Sequence, residues 1–145
     1  MAAIPPICDF GWKPVDATLP GVDGKSRSIL EQAGPNGLVA VFICNHCPYV
    51  VAVIERIVRD ANELREHGIG FVAISSNDTE AYPQDSFDNM KRFADEHAFP
   101  FPYLFDESQA LARASGAVCT PDFFGYNADL ELHYRGRLDA SGRQP

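Results

Sequence analysis

Between Gly37 and Ile43 the chain reads Gly-Leu-Val-Ala-Val-Phe-Ile, with no polar side chain. Its shortness and its β-branched content predict a strand covered on both faces. From Pro48 the period changes: Val50, Ile54, Ile57, Ala61 and Leu64 fall at helical spacing. Pro48 suits a first helical turn, and Gly68 a stop. Ile69 to Ser75 is a second buried strand, closing a strand–helix–strand unit of the kind that makes a parallel crossover. Residues 83–97 read as a helix with Phe87, Met90, Phe93 and Ala94 inward, and 101–105 as a short extended piece between prolines. Glu107–Ser115 is a short helix stopped by Gly116. Asp122–Tyr126 and Leu130–Arg135 form an antiparallel pair around Asn127-Ala128-Asp129. Nearer the start, Val15–Thr18 and Ser26–Ile29 around Gly21-Val22-Asp23-Gly24 read as a hairpin or two edge strands.

The 145 residues fit a single domain, 1–145, large enough to bury a core. A net charge of −8 makes nucleic acid and anionic membrane surfaces poor partners. No stretch reaches the ~18 apolar residues that a membrane span needs. The opening residues have no basic segment followed by a long apolar run, so a cytoplasmic location is expected. In that setting the four cysteines, Cys8, Cys44, Cys47 and Cys119, point to catalysis or metal binding more than to a disulfide scaffold.

Cys44-Asn45-His46-Cys47 stands where the first buried strand ends and a helix begins. The strand end is expected to project Cys44 outward, where the first helical N–H groups and the helix dipole favour its thiolate, the attacking species. Cys47, one turn on, is placed to attack a mixed disulfide on Cys44. His46, when protonated, would stabilise the thiolate further and make the disulfide a stronger oxidant; a solvated His without redox effect is the plain alternative. The second informative site is Cys119-Thr120-Pro121-Asp122. Pro121 suits the first residue of a strand, and the residues alone favour an ordinary trans bond there.

With these motifs the chain resembles the thioredoxin-like superfamily, and within it the alkyl hydroperoxide reductase/thiol-specific antioxidant (AhpC/TSA) type. The resemblance spans about Asp9 to Arg137. It rests on Asp9-Phe10, Val22-Asp23-Gly24-Lys25, the run Val41 to Val50, Val72 to Asp78, Phe105-Asp106-Glu107-Ser108-Gln109 and Cys119 to Phe124. It implies a thioredoxin-like α/β fold, a central mixed sheet flanked by helices with an N-terminal hairpin added. By position it implies Cys44 as nucleophile, Cys47 as resolving cysteine, Pro121 as a cis-proline facing the dithiol, and Thr120 as the residue whose backbone pairs with an extended substrate. It also implies a disulfide or thiol substrate and a thiol electron donor, with no cofactor.

Three departures refine this. Thioredoxins place a Trp before the first Cys and a buried Asp in the preceding strand; here Ile43 and an all-apolar strand stand there. Proton transfer from Cys47 then falls to another group, with Asp78 or water as candidates, or is slow. Peroxiredoxins use P-x-x-x-T/S-x-x-C, and neither Cys44 nor Cys47 is preceded by that pattern. No closing helix follows the last strand, so one sheet face is expected to be bare, as an apolar patch or a homodimer contact, or the chain to be a truncated one. Disulfide exchange is therefore the first expectation, and peroxide reduction the second. A zinc module using Cys44, Cys47, Cys119 and His46 is the third, weakened by the lack of a second C-x-x-C or an H-x-x-x-H. Cys119 is either a third redox thiol or a small buried apolar residue. Phe123 and Phe124, beside Pro121, are candidates for a substrate groove.

Overall fold

A computed structural model of the protein describes residues 17–44, 48–76, 86–115 and 122–136. The strand–helix–strand unit forms as the apolar pattern predicts. Strand β3 (Gly37–Phe42) pairs in parallel with β4 (Ile69–Ser75), from Gly37↔Ile69 to Phe42↔Ile74. Two short strands precede them, β1 (Thr18–Pro20) and β2 (Ser26–Ser28). Strands β5 (Tyr103–Phe105), β6 (Asp122–Tyr126) and β7 (Leu132–Gly136) complete a five-stranded mixed sheet of order β5-β4-β3-β6-β7. β5 joins β4 in parallel, whereas β6 and β7 run antiparallel to their neighbours. β3 is thus paired on both edges at the centre, which its unbroken apolar sequence requires.

Alternation along the strands divides the core into two layers. On one face Val41, Ile43, Phe71, Ala73, Tyr103, Phe105 and Phe123 meet α2 (Ile54–Glu66) and α3 (Phe87–Glu96). On the other, Leu38, Ala40, Phe42, Val72, Ile74, Leu104 and Phe124 meet Leu111 of α4 (Ala110–Ser115) and Ile29, beside the 3-10 turn Leu30–Gln32. Helices flank both faces, the architecture expected.

The helix expected from Pro48 is two pieces, α1 (Pro48–Val51) and α2. Val53 leaves the helical region (φ −120°, ψ 3°), and its N–H turns back to the Val50 carbonyl at 3.0 Å. Val50-Val51-Ala52-Val53-Ile54 is crowded with β-branched residues. Val50, Val53 and Ile54 are all buried, and burying three so closely spaced side chains on one side favours the tightened turn. Gly68 ends α2 as expected, in the left-handed region at φ +74°.

Other boundaries shift for local reasons. Ser86 caps α3, its hydroxyl accepting from the Asn89 N–H at 3.3 Å, so this helix starts at Phe87; 83–85, also expected in the helix, lie outside the described residues. α4 starts three residues late because Glu107–Gln109 form a turn, with the Gln109 N–H on the Asp106 carbonyl (3.1 Å) and Gln109 at φ +63°. β7 starts at Leu132 because Leu130 is left-handed (φ +58°), held by the Asn127 side chain, which accepts from the N–H groups of Asp129 (3.0 Å) and Glu131 (2.9 Å). A bulge follows at Gly125/Tyr126. It lets Leu132 enter one core layer while Tyr134, half exposed, faces the other side.

The N-terminal hairpin forms with its first strand at Thr18–Pro20, its register fixed by the turn hydrogen bond from Gly21 N–H to the Lys25 carbonyl (2.9 Å); Val15 and Asp16, also expected in that strand, lie outside the described residues. It joins the main sheet through Val22 N–H to the Tyr103 carbonyl (3.1 Å). Asp23 is paired with Arg27, whose hydrogen bond, with that of the Lys25 amide, holds the carboxyl below the ordinary carboxylate range. Such a group adds stability above the ordinary carboxylate value, lost as pH falls through its folded value. Both partners are substantially exposed, so the contribution is small.

Gly70 shows how closely the 3-10 segment approaches β4: a Cβ there would lie 1.8 Å from the Gln32 carbonyl oxygen. Gly70→Ala is expected to cost about 3 kcal/mol or more by forcing backbone from backbone, measured as a fall in the denaturation midpoint. A change under ~0.5 kcal/mol, the size of an ordinary surface substitution, would contradict this packing.

Candidate functional site

The candidate site lies at the end of the sheet where β3 and β4 finish and β6 begins, the edge at which open α/β sheets place their chemistry. Cys44 follows β3 directly. The Ile43 N–H still donates to the Ile74 carbonyl at 2.9 Å, so pairing runs one residue past the strand. Cys44 is therefore tucked into the sheet end and only 1% exposed, a correction to the expectation that it projects outward. α1 begins four positions on, at Pro48, which puts a helix start immediately beyond the dithiol sequence. His46, Cys47, Asp78, Cys119, Thr120 and Pro121 lie outside the described residues, as do Cys8 and Asn77.

Three buried polar residues gather at this end: Ser75, Asp106 and Asp122. Asp106 is the hub of a tight set of bonds. Its Oδ2 accepts from Ser76 Oγ (2.8 Å) and from the Ala112 N–H (3.0 Å), and its own N–H donates to the Ser75 carbonyl (2.8 Å). Gln109 Nε2 donates to the Ser76 carbonyl at 2.7 Å. The carboxylate thereby satisfies one amide donor in the first turn of α4 and fixes the residues leaving β4. Ser75, by contrast, is fully buried and its hydroxyl has no hydrogen-bond partner among the described residues.

Asp122 opens β6 opposite Phe42, fully shielded from water. Phe123 and Phe124, expected as groove candidates, are both buried in the core, one on each face. Phe123 also lines a surface recess, an apolar groove of about 370 Å³ beside α2 that involves Val39, Ile57, Leu64, Phe71 and Tyr134. The buried acids were missed because Asp106 and Asp122 read as turn and strand-start residues. The available signal was an acid set directly against an apolar strand run in each case.

Among the described residues no group of three His, Cys, Asp or Glu side chains is arranged to hold a metal ion, and the zinc candidates His46, Cys47 and Cys119 are not among them. No helix among the described residues is long and apolar enough to cross a membrane.

Residues 11–140 match the family model described as AhpC/TSA family. No curated protein sequence matches the chain. Among solved structures, the chain is similar to an uncharacterized conserved protein from Geobacillus kaustophilus, with 43% identity and a TM-score of 0.94 over 98% of this chain and 76% of that one. It is similar also to a hypothetical protein from Sinorhizobium meliloti 1021, at 34% identity and a TM-score of 0.91, over 97% of this chain and 76% of that one. At 17% identity, a secreted Mycobacterium tuberculosis disulfide oxidoreductase homologous to E. coli DsbE shares the fold, with a TM-score of 0.71 over 87% of this chain and 86% of that one.

Asp106→Ala is expected to destabilise the protein by about 2–3 kcal/mol, because it strands the Ser76 hydroxyl and the Ala112 N–H. Denaturant unfolding measures this. A cost below ~0.5 kcal/mol would mean that water replaces the carboxylate freely and that the hub is not structural.

Proposed function

The chain belongs to the AhpC/TSA family, a thiol–disulfide oxidoreductase and peroxiredoxin-like family with the thioredoxin-like fold, and on that premise we propose that it exchanges disulfides through Cys44 and Cys47. The observation that carries this is the placement of Cys44 between the end of the central strand and the start of α1. The Cys44 thiolate attacks one sulfur of a substrate disulfide, forming a mixed disulfide and expelling the other sulfur as a thiolate that takes up a proton. Cys47, deprotonated, then attacks the Cys44 sulfur and releases the second substrate thiol. The substrate gains two electrons and two protons, and the protein is left with a Cys44–Cys47 disulfide that a thiol donor reduces in turn. His46 tunes the thiolate, and Thr120 and Pro121 present the substrate, with Cys119 and Asp78 as auxiliary groups. A cytoplasmic, reducing compartment would keep such a pair reduced between turnovers.

A second reading has one observation in its favour. Cys44 is 1% exposed, and a thiol so buried is easier for a small peroxide to reach than for a protein disulfide. There the thiolate would attack the O–O bond to give a sulfenic acid and water or an alcohol. Cys47 would then displace water to close the same disulfide. Against it stands the missing P-x-x-x-T/S-x-x-C pattern.

Cys44→Ser is expected to abolish dithiol-dependent reduction of a model disulfide, and Cys47→Ser to accumulate mixed disulfides visible by mass. Turnover by Cys44→Ser at the wild-type rate would sink the proposal. Stopped-flow mixing with hydrogen peroxide separates the second reading, which fails if the reduced protein reacts no faster than free cysteine.

A further inference from the structure

On the β5 edge of the sheet a cavity of about 540 Å³ opens between the N-terminal hairpin and the connection from α3 to β5. The hairpin wall is fixed by backbone bonds, from Gly21 N–H to the Lys25 carbonyl (2.9 Å) and from Val22 N–H to the Tyr103 carbonyl (3.1 Å). The other wall is a chain reversal. Ala98 takes the left-handed conformation (φ +50°), which an alanine enters only at a cost. The Asp95 carbonyl accepts from the Ala98 N–H (3.3 Å) and the Ala94 carbonyl from the Phe99 N–H (3.0 Å). The reversal sets the last turn of α3 beside Phe99, whose ring packs 4.6 Å from that of Phe101 and 5.5 Å from that of Tyr103, between centroids.

The polar groups of this lining are unbalanced. Residues 98–101 carry four carbonyls that accept no backbone hydrogen bond among the described residues, and Pro100 and Pro102 have no N–H to give. Asp95 is exposed, with no ion pair among the described residues. Asp23 is held by Arg27 and by the Lys25 amide, so that acid and that base cancel. The lining is left with a surplus of acceptors and one net negative charge. Against the surplus stands one orphaned donor, the Nε–H of Arg27, which is buried with no acceptor. Buried donors are almost always paired, and this one calls for an acceptor atom from a molecule in the cavity.

We propose that the cavity binds an organic amine with a carbonyl oxygen a few atoms away, the arrangement of an amino acid and of the amino end of a peptide. The ammonium group brings three donors and a positive charge to Asp95 and the carbonyls of residues 98–101. The ligand carbonyl accepts from Arg27 Nε–H, and an apolar side chain packs on Phe99 and Pro100. The volume lies within the range of small-molecule sites. Such a ligand touches both walls, so its binding ties the hairpin to the α3–β5 connection and raises the stability of the fold. No lining residue belongs to the dithiol end, so the proposal does not depend on the role of Cys44.

Titrating the 15N-labelled full chain with phenylalaninamide tests this. Amide shifts are expected within residues 22–27 and 94–103, together with a rise in Tm. Phenethylamine lacks the carbonyl and N-acetylphenylalaninamide lacks the charge. Each is expected to bind about tenfold more weakly or worse, the size of a lost hydrogen bond to a charged group. Asp95→Asn is expected to weaken phenylalaninamide to the same degree, and because Asp95 is exposed the variant keeps its fold. Comparing phenylalanine with phenylalanylglycinamide tells a free amino acid from a peptide end, each a form of the proposed ligand. Cys44→Ser is expected to bind as wild type does. Equal binding of either truncated compound, an indifferent Asp95→Asn, or no shifts in these segments with millimolar phenylalaninamide overturns the proposal.

Discussion

Strand β3 is hydrogen-bonded on both edges, to β4 in parallel and to β6 antiparallel, and nothing else in the sheet connects the two halves. Its side chains alternate between two apolar layers, Val41 with Ile43 on one side and Leu38, Ala40 and Phe42 on the other. In a strand so placed a polar side chain is costly to bury, and here the chain spends an unbroken apolar run on it. The same pairing decides where chemistry is allowed. Among the described residues, the buried polar groups sit where the ladder stops, at Ser75, Asp106 and Asp122, with Cys44 beside that end.

The order of the sheet makes that end a meeting place. The β4 exit is tied by Asp106 to the start of α4, so the residues leaving β4 are held by a buried carboxylate instead of by packing alone. The β6 entrance brings Asp122 opposite Phe42. Two acids buried at one edge are costly to keep out of water. Asp106 repays its burial through the bonds it accepts.

The regular elements were legible because the apolar period is strong: Gly37–Ile43 and Ile69–Ser75 emerge within a residue of their observed bounds. What the pattern could not show was set by single contacts. The break at Val53, the late start of α4 behind left-handed Gln109 and the delayed β7 behind left-handed Leu130 each follow from a local hydrogen bond or a crowded β-branched run. At the candidate site, the position of Cys44 at the strand end was legible, but its burial was not, because periodicity does not say how far a ladder continues. The burial of Asp122 was invisible for a related reason: it depends on being opposite Phe42, a register between segments eighty residues apart.

The central claim is that Cys44 and Cys47 exchange electrons as a pair. Equilibrating the protein across glutathione redox buffers and mapping the bridged peptides by mass spectrometry tests it most directly. The account predicts one two-electron transition that ends in a Cys44–Cys47 disulfide. Cys44 remaining a thiol while the other cysteines oxidise, or pairing with a cysteine other than Cys47, would contradict it.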